Sequence, residues 1–208
     1  MKKICKGCKN KIFKVIDICK SPPCDLYLKD KKKKLKLYSL DLYFCNKCKL
    51  IQIADIVSPK KIYNQYLHQS QHSLGLVEHF KNYCETVIKK LKLNPKHKIL
   101  DIGCNDGTLL NFFVKKGYKV LGVDPASNIS GECKKKKINL INTFFNKKLV
   151  KNLLVKKYSF DLITANNVIA NIPKLGEFFG LVSKLLSSKG YFVFETINGP
   201  SLIKNKFI

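Results

Sequence analysis

The chain contains no arginine. Its 40 basic residues are all lysine, set against 14 acids, for a formal charge of +26 at pH 7. A charge of that size invites a nucleic-acid reading, but arginine supplies the bidentate forks by which bases and phosphates are recognised. Lysine, asparagine and isoleucine are abundant together, which points to a compositional bias. The runs Lys31–Lys34 and Lys134–Lys137 read as solvated faces or loops. A basic surface would still steer a phosphorylated substrate towards the protein. Also missing is any apolar run near the about 20 residues a bilayer-spanning helix needs, so no membrane partner is expected. The N-terminus reaches Cys5 with no apolar core region, which argues against a signal peptide and for a cytoplasmic, reducing setting. Nine cysteines, an odd number mostly without disulfide-framework spacing, agree with that setting.

At 208 residues and 45% hydrophobic content, the chain has room for one ordinary domain and a small appendage. Its organising stretch is Lys98 to Pro125. A short apolar run, Ile99 to Ile102, carries Asp101 and breaks into Gly103-Cys104-Asn105-Asp106-Gly107. A helical pattern follows (Leu109, Leu110, Phe112, Phe113), stopped by Gly117, and a second β-type run, Val120 to Val123, ends on Asp124. Strand, glycine turn, helix, strand and acid make the first half of a nucleotide-binding α/β unit. A dinucleotide site needs three glycines to bring backbone against a pyrophosphate. Here there are two, and Asp101 and Asp106 would repel a pyrophosphate while suiting a ligand with ammonium and sulfonium centres. S-adenosylmethionine is such a ligand. Asp124, 23 positions after Asp101, stands where a carboxylate accepts ribose hydroxyls. The competing reading is an α/β turn with ordinary surface acids.

Residues 1–57 read as a separate unit. Cys5-Lys6-Gly7-Cys8 and Cys45-Asn46-Lys47-Cys48 are two C-x-x-C knuckles with 36 residues between them. Two knuckles complete a tetrahedral four-sulfur zinc site, and a segment this short and polar needs such a staple. A redox pair or free thiols are the alternatives. Such a closed site has no open position for catalysis. Cys19 and Cys24 lack knuckle spacing and read as free. Residues 58–95 read as linker and helix. Lys61 to Ser73 is rich in aromatic, histidine and hydroxyl groups, and is either an interdomain linker or a lid carrying Tyr66 and His68 as acid–base groups. A helical period runs from Leu76 to Leu91, with His79 on its surface. From residue 96 to 208 a Rossmann-like domain is expected: a polar helix over Ala126–Lys135, a strand over Ile138–Ile141, a strand from Phe160 ending in Asn166 and Asn167, a helix through Leu185, and a fifth strand, Tyr191–Glu195. Asn146, after Phe144 and Phe145, is placed near the adenine by its position at a strand's carboxyl end. Expected cofactor contacts are thus Asp101, Gly103, Cys104, Asn105, Gly107, Asp124, Pro125, Asn146, Asn166 and Asn167.

The knuckles, Tyr63 to Ser73, the Asp101 to Leu110 loop, Gly122 to Pro125, Ala165 to Val168 and Leu185 to Glu195 together resemble the zinc-containing sugar C-methyltransferases. That family uses S-adenosylmethionine to methylate a carbon of nucleotide-linked deoxysugars. The resemblance implies a class I methyltransferase sheet preceded by a zinc-ribbon-like unit, with S-adenosylmethionine and zinc as cofactors and a nucleotide-sugar as substrate. Family members are about twice as long. They carry a Tyr-His-Glu-His segment just past the position of Phe207, which supplies the base, and a histidine where this chain has Asn171. His68 stands where a second tyrosine is common. The expectation is therefore an N-terminal part whose last two strands and base-bearing half lie elsewhere, on a separate chain if the gene is split, leaving the fifth strand as a sheet edge. A non-catalytic cofactor- or partner-binding remnant and a zinc-ribbon nucleic-acid binder are the other readings.

Overall fold

The computed structural model describes residues 3–23, 34–55, 57–63 and 68–205. The N-terminal unit holds β1 (Phe13–Ile16), β2 (Lys20–Ser21), β3 (Tyr38–Ser39), β4 (Leu42–Phe44) and β5 (Ile51–Ile53). Strands β1, β4 and β5 form an antiparallel sheet in that order, and β2 pairs with β3. Its core is small: Cys5, Ile12, Tyr43 and Cys45 are the buried members. So few apolar side chains cannot offset the entropy of ordering the segment, which leaves stability to the thiols.

Helices α1 (Pro59–Tyr63) and α2 (Leu74–Leu91) follow. Then come β6 (Lys98–Ile102), α3 (Thr108–Lys115), β7 (Lys119–Asp124), α4 (Ser130–Lys135), β8 (Asn139–Asn142), α5 (Lys147–Val155), β9 (Phe160–Asn166), α6 (Leu175–Leu185), β10 (Leu186–Glu195) and α7 (Gly199–Lys204). The five strands pair in parallel in the order β10-β9-β6-β7-β8. The order reverses at β6, so the crevice at the carboxyl ends of β6, β7 and β9 is the ligand position of a doubly wound sheet.

Alternation along the strands builds the two layers. Leu100 and Ile102 of β6 join Leu121, Val123, Ile163 and the helices α5 and α6 on one face. Ile99, on the other, joins Leu162, Phe80, Cys84, Leu110 and Phe113 of α2, α3 and β9. Strand β10 is the sheet's edge among the described residues, and Phe179, Phe192 and Phe194 form an aromatic row beside it, with the last two rings 5.3 Å apart. No helix among those residues is long and apolar enough to cross a membrane.

Two expected elements differ in detail. The polar helix over Ala126–Lys135 divides into a 3-10 turn, Ser127–Ile129, and α4. Ser188-Lys189-Gly190 lies within β10, where pairing with β9 is interrupted between Leu186 and Tyr191, and Asp161 Oδ1 accepts from Ser187 Oγ there at 2.9 Å.

Candidate functional site

The turn after β6 has the left-handed backbone that its glycines permit. Gly103 has φ 73° and Gly107 φ 76°, and a Cβ at either would stand 2.4 Å from Val168 Cγ2 or 2.5 Å from Ile138 Cδ1. Gly103 N and Cys104 N donate back to Val123 O, at 2.7 and 3.3 Å, and Asn105 N donates to Asp124 Oδ2 at 2.9 Å. The loop is therefore tied to the end of β7.

Asp106 does not face a ligand. It is 0% exposed, and Oδ1 caps α3 by accepting from Thr108 N (3.0 Å) and Thr108 Oγ1 (2.6 Å). Its other oxygen accepts from Gln71 N at 2.9 Å, and Lys136 Nζ lies 3.6 Å from Oδ1. The unpaired N–H groups of the helix's first turn claim this carboxylate, which corrects the expectation that its charge attracts the ligand.

A cavity of about 530 Å³ opens at the carboxyl ends of β6, β7 and β9. Asp101, Gly103, Cys104, Asn105, Asp124, Pro125, Asn166 and Asn167 line it, as does His68. Gly107 lies below the loop against Cys133 and Ile138. Asn146 lies outside the cavity: Oδ1 accepts from Leu149 N at 3.0 Å to cap α5, and Nδ2 donates to Phe144 O at 2.9 Å. Its neighbours Phe144 and Phe145 reach the wall instead. Tyr66 lies outside the described residues. Tyr63, Phe80 and Asn171, which are not among the cofactor contacts expected from the sequence, also line the space.

The cavity is acidic and incompletely bonded. Asp101 is 3% exposed, and Oδ1 accepts from Thr164 Oγ1 at 2.7 Å. Burial, helped by the charge of Asp124, pushes its carboxyl up to about 7. Asp124 accepts from Ala126 N and Asn105 N, each at 2.9 Å, and burial raises it as well. The buried hydroxyl of Tyr83 on α2 and the buried side-chain amide of Asn166 interact only with each other among the described residues, without a short hydrogen bond to any other group. Burial, then the charge of Asp101, raises the Tyr83 hydroxyl far above its ordinary value. A buried polar group left unpaired costs about 1–3 kcal/mol, so the Asn166 amide, which lines the cavity, marks a place for a polar ligand. The sequence offered one signal for Tyr83, a hydroxyl on the apolar stripe of a helix.

Residues 68–72 are strapped across the loop. Asn105 Nδ2 donates to His68 O (2.9 Å), and Asn105 Oδ1 accepts from Ser70 N (3.3 Å). Lys136 Nζ donates to Asp106 O (2.7 Å) and Gln71 Oε1 (3.1 Å), while Gln71 Nε2 donates to Glu132 (3.3 Å). The strap brings His68 to the cavity's mouth.

In the N-terminal unit, the sulfurs of Cys5, Cys8, Cys45 and Cys48 all lie within 4.8 Å of one another. Cys5 and Cys48 stand 3.5 Å apart, and Cys8 and Cys45 3.4 Å. A tetrahedron with Zn–S arms near 2.3 Å has edges of about 3.8 Å, so the donor set fits zinc. The two knuckles repeat one geometry: Lys9 and Lys49 have φ 64° and 61°, and their N–H groups donate to Cys5 O and Cys45 O. Gln52 Nε2 donates to Cys5 Sγ at 3.3 Å, supporting the ligand from behind.

Residues 72–207 match the protein family described as "Methyltransferase domain". The chain belongs to that family. Residues 5–63, which hold the cysteine cluster, match the family described as "Putative zinc binding domain". The C-methyltransferase NovU of Streptomyces niveus is 24% identical over 169 residues, 81% of this chain and 40% of that protein. The ubiquinone biosynthesis O-methyltransferase of Rhodopseudomonas palustris (strain BisA53) is 28% identical over 123 residues, 55% of this chain and 48% of that protein. This methyltransferase-domain chain thus spans less than half the length of either relative. Its fold is similar to that of PH0226 from Pyrococcus horikoshii OT3, with a TM-score of 0.53 at 18% identity over 66% of this chain and 62% of that one. It is likewise similar to the plantazolicin methyltransferase BpumL in complex with SAH and a pentazolic desmethylPZN analog, at 0.52 and 19% over 64% and 52%. One relative is named for a carbon acceptor and the other for an oxygen, so membership alone does not choose the acceptor atom.

Proposed function

We propose that this chain is an S-adenosylmethionine-dependent methyltransferase whose acceptor is a carbon of a nucleotide-linked deoxysugar ketone. The observation that carries the donor assignment is Asp101, a buried carboxyl with a pKa near 7, in the same cavity wall as the buried amide of Asn166. A cationic amino-acid end satisfies both: its ammonium favours ionised Asp101, and its carboxylate accepts from the Asn166 amide. Gly103, Cys104 and Asn105 give close backbone approach, and Asp124 with Pro125 meets the ribose. Phe144, Phe145 and Asn167 border the base. A cavity of about 530 Å³ is of the size that encloses a ligand of this class. When bound, the donor supplies an electrophilic methyl group on a sulfonium.

The acceptor class rests on the motif resemblance to sugar C-methyltransferases and on the likeness to NovU. Tyr66 and His68 serve as acid–base groups, with His68 in the cavity wall. Cys5, Cys8, Cys45 and Cys48 hold a structural zinc that staples residues 1–57, with 58–95 as linker and helix and 96–208 as the donor domain, in a cytoplasmic setting. A separate chain supplies the base-bearing half of the family's longer enzymes. Calorimetry on the zinc-loaded chain tests the donor assignment: S-adenosylhomocysteine binding at micromolar concentration is expected, and none at high micromolar concentration sinks it. Transfer of labelled methyl to a thymidine-diphosphate keto-deoxysugar tests the acceptor.

A further inference from the structure

Two thiols meet beneath the donor loop, apart from the four knuckle cysteines. Cys104, in the turn after β6, lines the donor cavity and is 4% exposed, while Cys133 on α4 is fully buried. Their sulfurs stand 3.7 and 3.5 Å from one atom, the carbonyl oxygen of Asn105. Each is packed on a bare glycine: a Cβ at Gly122 would stand 2.6 Å from Cys104 Sγ, and one at Gly107 3.3 Å from Cys133 Sγ. The two thiols share a hydrogen bond. It draws Cys133 below the ordinary thiol value, with the charge of Lys136 helping, and with burial it holds Cys104 well above that value. One proton thus serves two sulfurs, and one of them faces a cavity that small solutes can enter. Asn105 ties the pair to the site: its N donates to Asp124, and its side chain bonds His68 O and Ser70 N. On α4, Glu132 and Lys136 on either side of Cys133 both bond Gln71 of the strap.

Resting on the donor reading above, we propose that Cys104 and Cys133 are an oxidisable dithiol, converted by a small hydroperoxide that enters the donor cavity into a disulfide that disables donor binding. Cys104 passes its proton to the Cys133 thiolate, and the Cys104 sulfur then attacks the nearer peroxide oxygen. The O–O bond breaks, a sulfenic acid forms on Cys104, and the leaving oxygen takes the proton back from Cys133. The Cys133 thiolate next attacks the Cys104 sulfur; the S–S bond forms, the S–O bond breaks, and the departing hydroxide takes a solvent proton as water. The dithiol loses two electrons and the peroxide gains them. Hydrogen-bonded sulfurs stand well beyond bonding distance, so closing them to about 2.05 Å draws the loop and α4 together at Asn105. The bonds of Asn105 to Asp124, His68 and Ser70 give way. Bound donor covers Cys104, and by linkage it favours the reduced form by the same factor that oxidation removes from its affinity.

The full chain, zinc-loaded and reduced, is treated with hydrogen peroxide, quenched with a thiol-alkylating reagent and digested with trypsin. A cross-link between the peptides Ile99–Lys115 and Val120–Lys134 is expected, formed more slowly when S-adenosylhomocysteine is present. Oxidation should speed hydrogen exchange over residues 103–107 and 68–72. It should also weaken S-adenosylhomocysteine binding at least about tenfold, which corresponds to about 30 mV in the potential of the pair. Dithiothreitol should reverse each change. Cys133→Ser and Cys133→Ala should bind S-adenosylhomocysteine like the reduced wild type and keep that affinity after peroxide. Both variants retain the knuckles, so a loss owed to zinc release, followed with a chelator, would appear in them too. Knuckle oxidation without the cross-link, a cross-link that leaves exchange over 103–107 unchanged, or a loss of affinity shared by the Cys133 variants overturns the proposal. The cross-link and the exchange are read without ligand. Absence of binding by the reduced chain therefore sinks the donor reading and leaves the dithiol standing, while binding with no cross-link removes the dithiol alone.

Discussion

Thr164 Oγ1 donates to Asp101 Oδ1 at 2.7 Å, and the two residues are register partners across β9 and β6. That hydrogen bond favours the carboxylate, but burial outweighs it and leaves the Asp101 pKa near 7. The group is thus half-protonated near neutrality in the free protein, and a cationic ligand must find it ionised.

Donor affinity should therefore rise with pH up to about 7 and level off above it, close to tenfold per pH unit on the acid side. Calorimetry from pH 5.5 to 8.5 reads this directly, and Asp101→Asn should flatten the profile and weaken binding at least about 100-fold. The sign for free-protein stability is opposite. With a folded pKa above the unfolded value of about 3.9, the contribution is complete below about pH 3.9 and is lost as pH rises through 7. The loss is at most about 4 kcal/mol, so Asp101→Asn should melt above the wild type at pH 8.

At Gly103 a methyl group would meet Val168 Cγ2 at 2.4 Å in a backbone of φ 73°. Gly103→Ala should cost about 1–3 kcal/mol in thermal unfolding and abolish donor binding. Because part of that cost is the clash, Val168→Ala should recover part of the stability in the double variant. Full additivity of the two losses would show that the valine is not the obstacle.

Removing one knuckle ligand leaves three thiols around the metal. Cys5→Ser or Cys45→Ser should release zinc to a chromogenic chelator and raise hydrogen exchange across residues 3–55. Donor affinity should stay within about threefold, because the Asp101 and Asp124 ends of the cavity are held by the parallel sheet. A collapse of donor binding would show that the N-terminal unit props the cavity open.

Lys136 is 15% exposed and joins the strap to the loop through Gln71 Oε1 and Asp106 O. Lys136→Met keeps most of its packing and removes both bonds, at about 1–3 kcal/mol. Faster hydrogen exchange over residues 68–73 and roughly tenfold weaker donor binding are expected. Unchanged exchange there would mean that the bonds of the strap to Asn105, Asp106 Oδ2 and Glu132 secure it without the lysine.

The glycine turn, Asp101, Asp124 and the four cysteines were legible in the sequence because each belongs to a short local pattern with one physical purpose. Asp106 and Asn146 were legible too, but as something else. Both precede helices and cap them, and a capping role declared by local order was passed over for one inferred from topology. Tyr83 and the surface pair of His79 with Glu195, 2.8 Å between Nε2 and Oε1, were out of reach. Helical periodicity places Tyr83 on the packed face and His79 outside, but nothing local tells either which strand end it will meet. Contacts across 116 residues follow from strand order, which the periodicity of single segments does not encode.

The strand order has a consequence for how the polypeptide is made. When β6 leaves the ribosome, β7 comes next, but its other neighbour is β9, and Asp101 waits 63 residues for Thr164. Through that interval one rail of the central strand has nothing to pair with, and Ile99 and Leu100 lack Leu162 and Ile163. The nascent chain passes through a sticky half-sheet before the donor cavity exists. Chaperone demand during synthesis should therefore fall sharply once β9 has emerged.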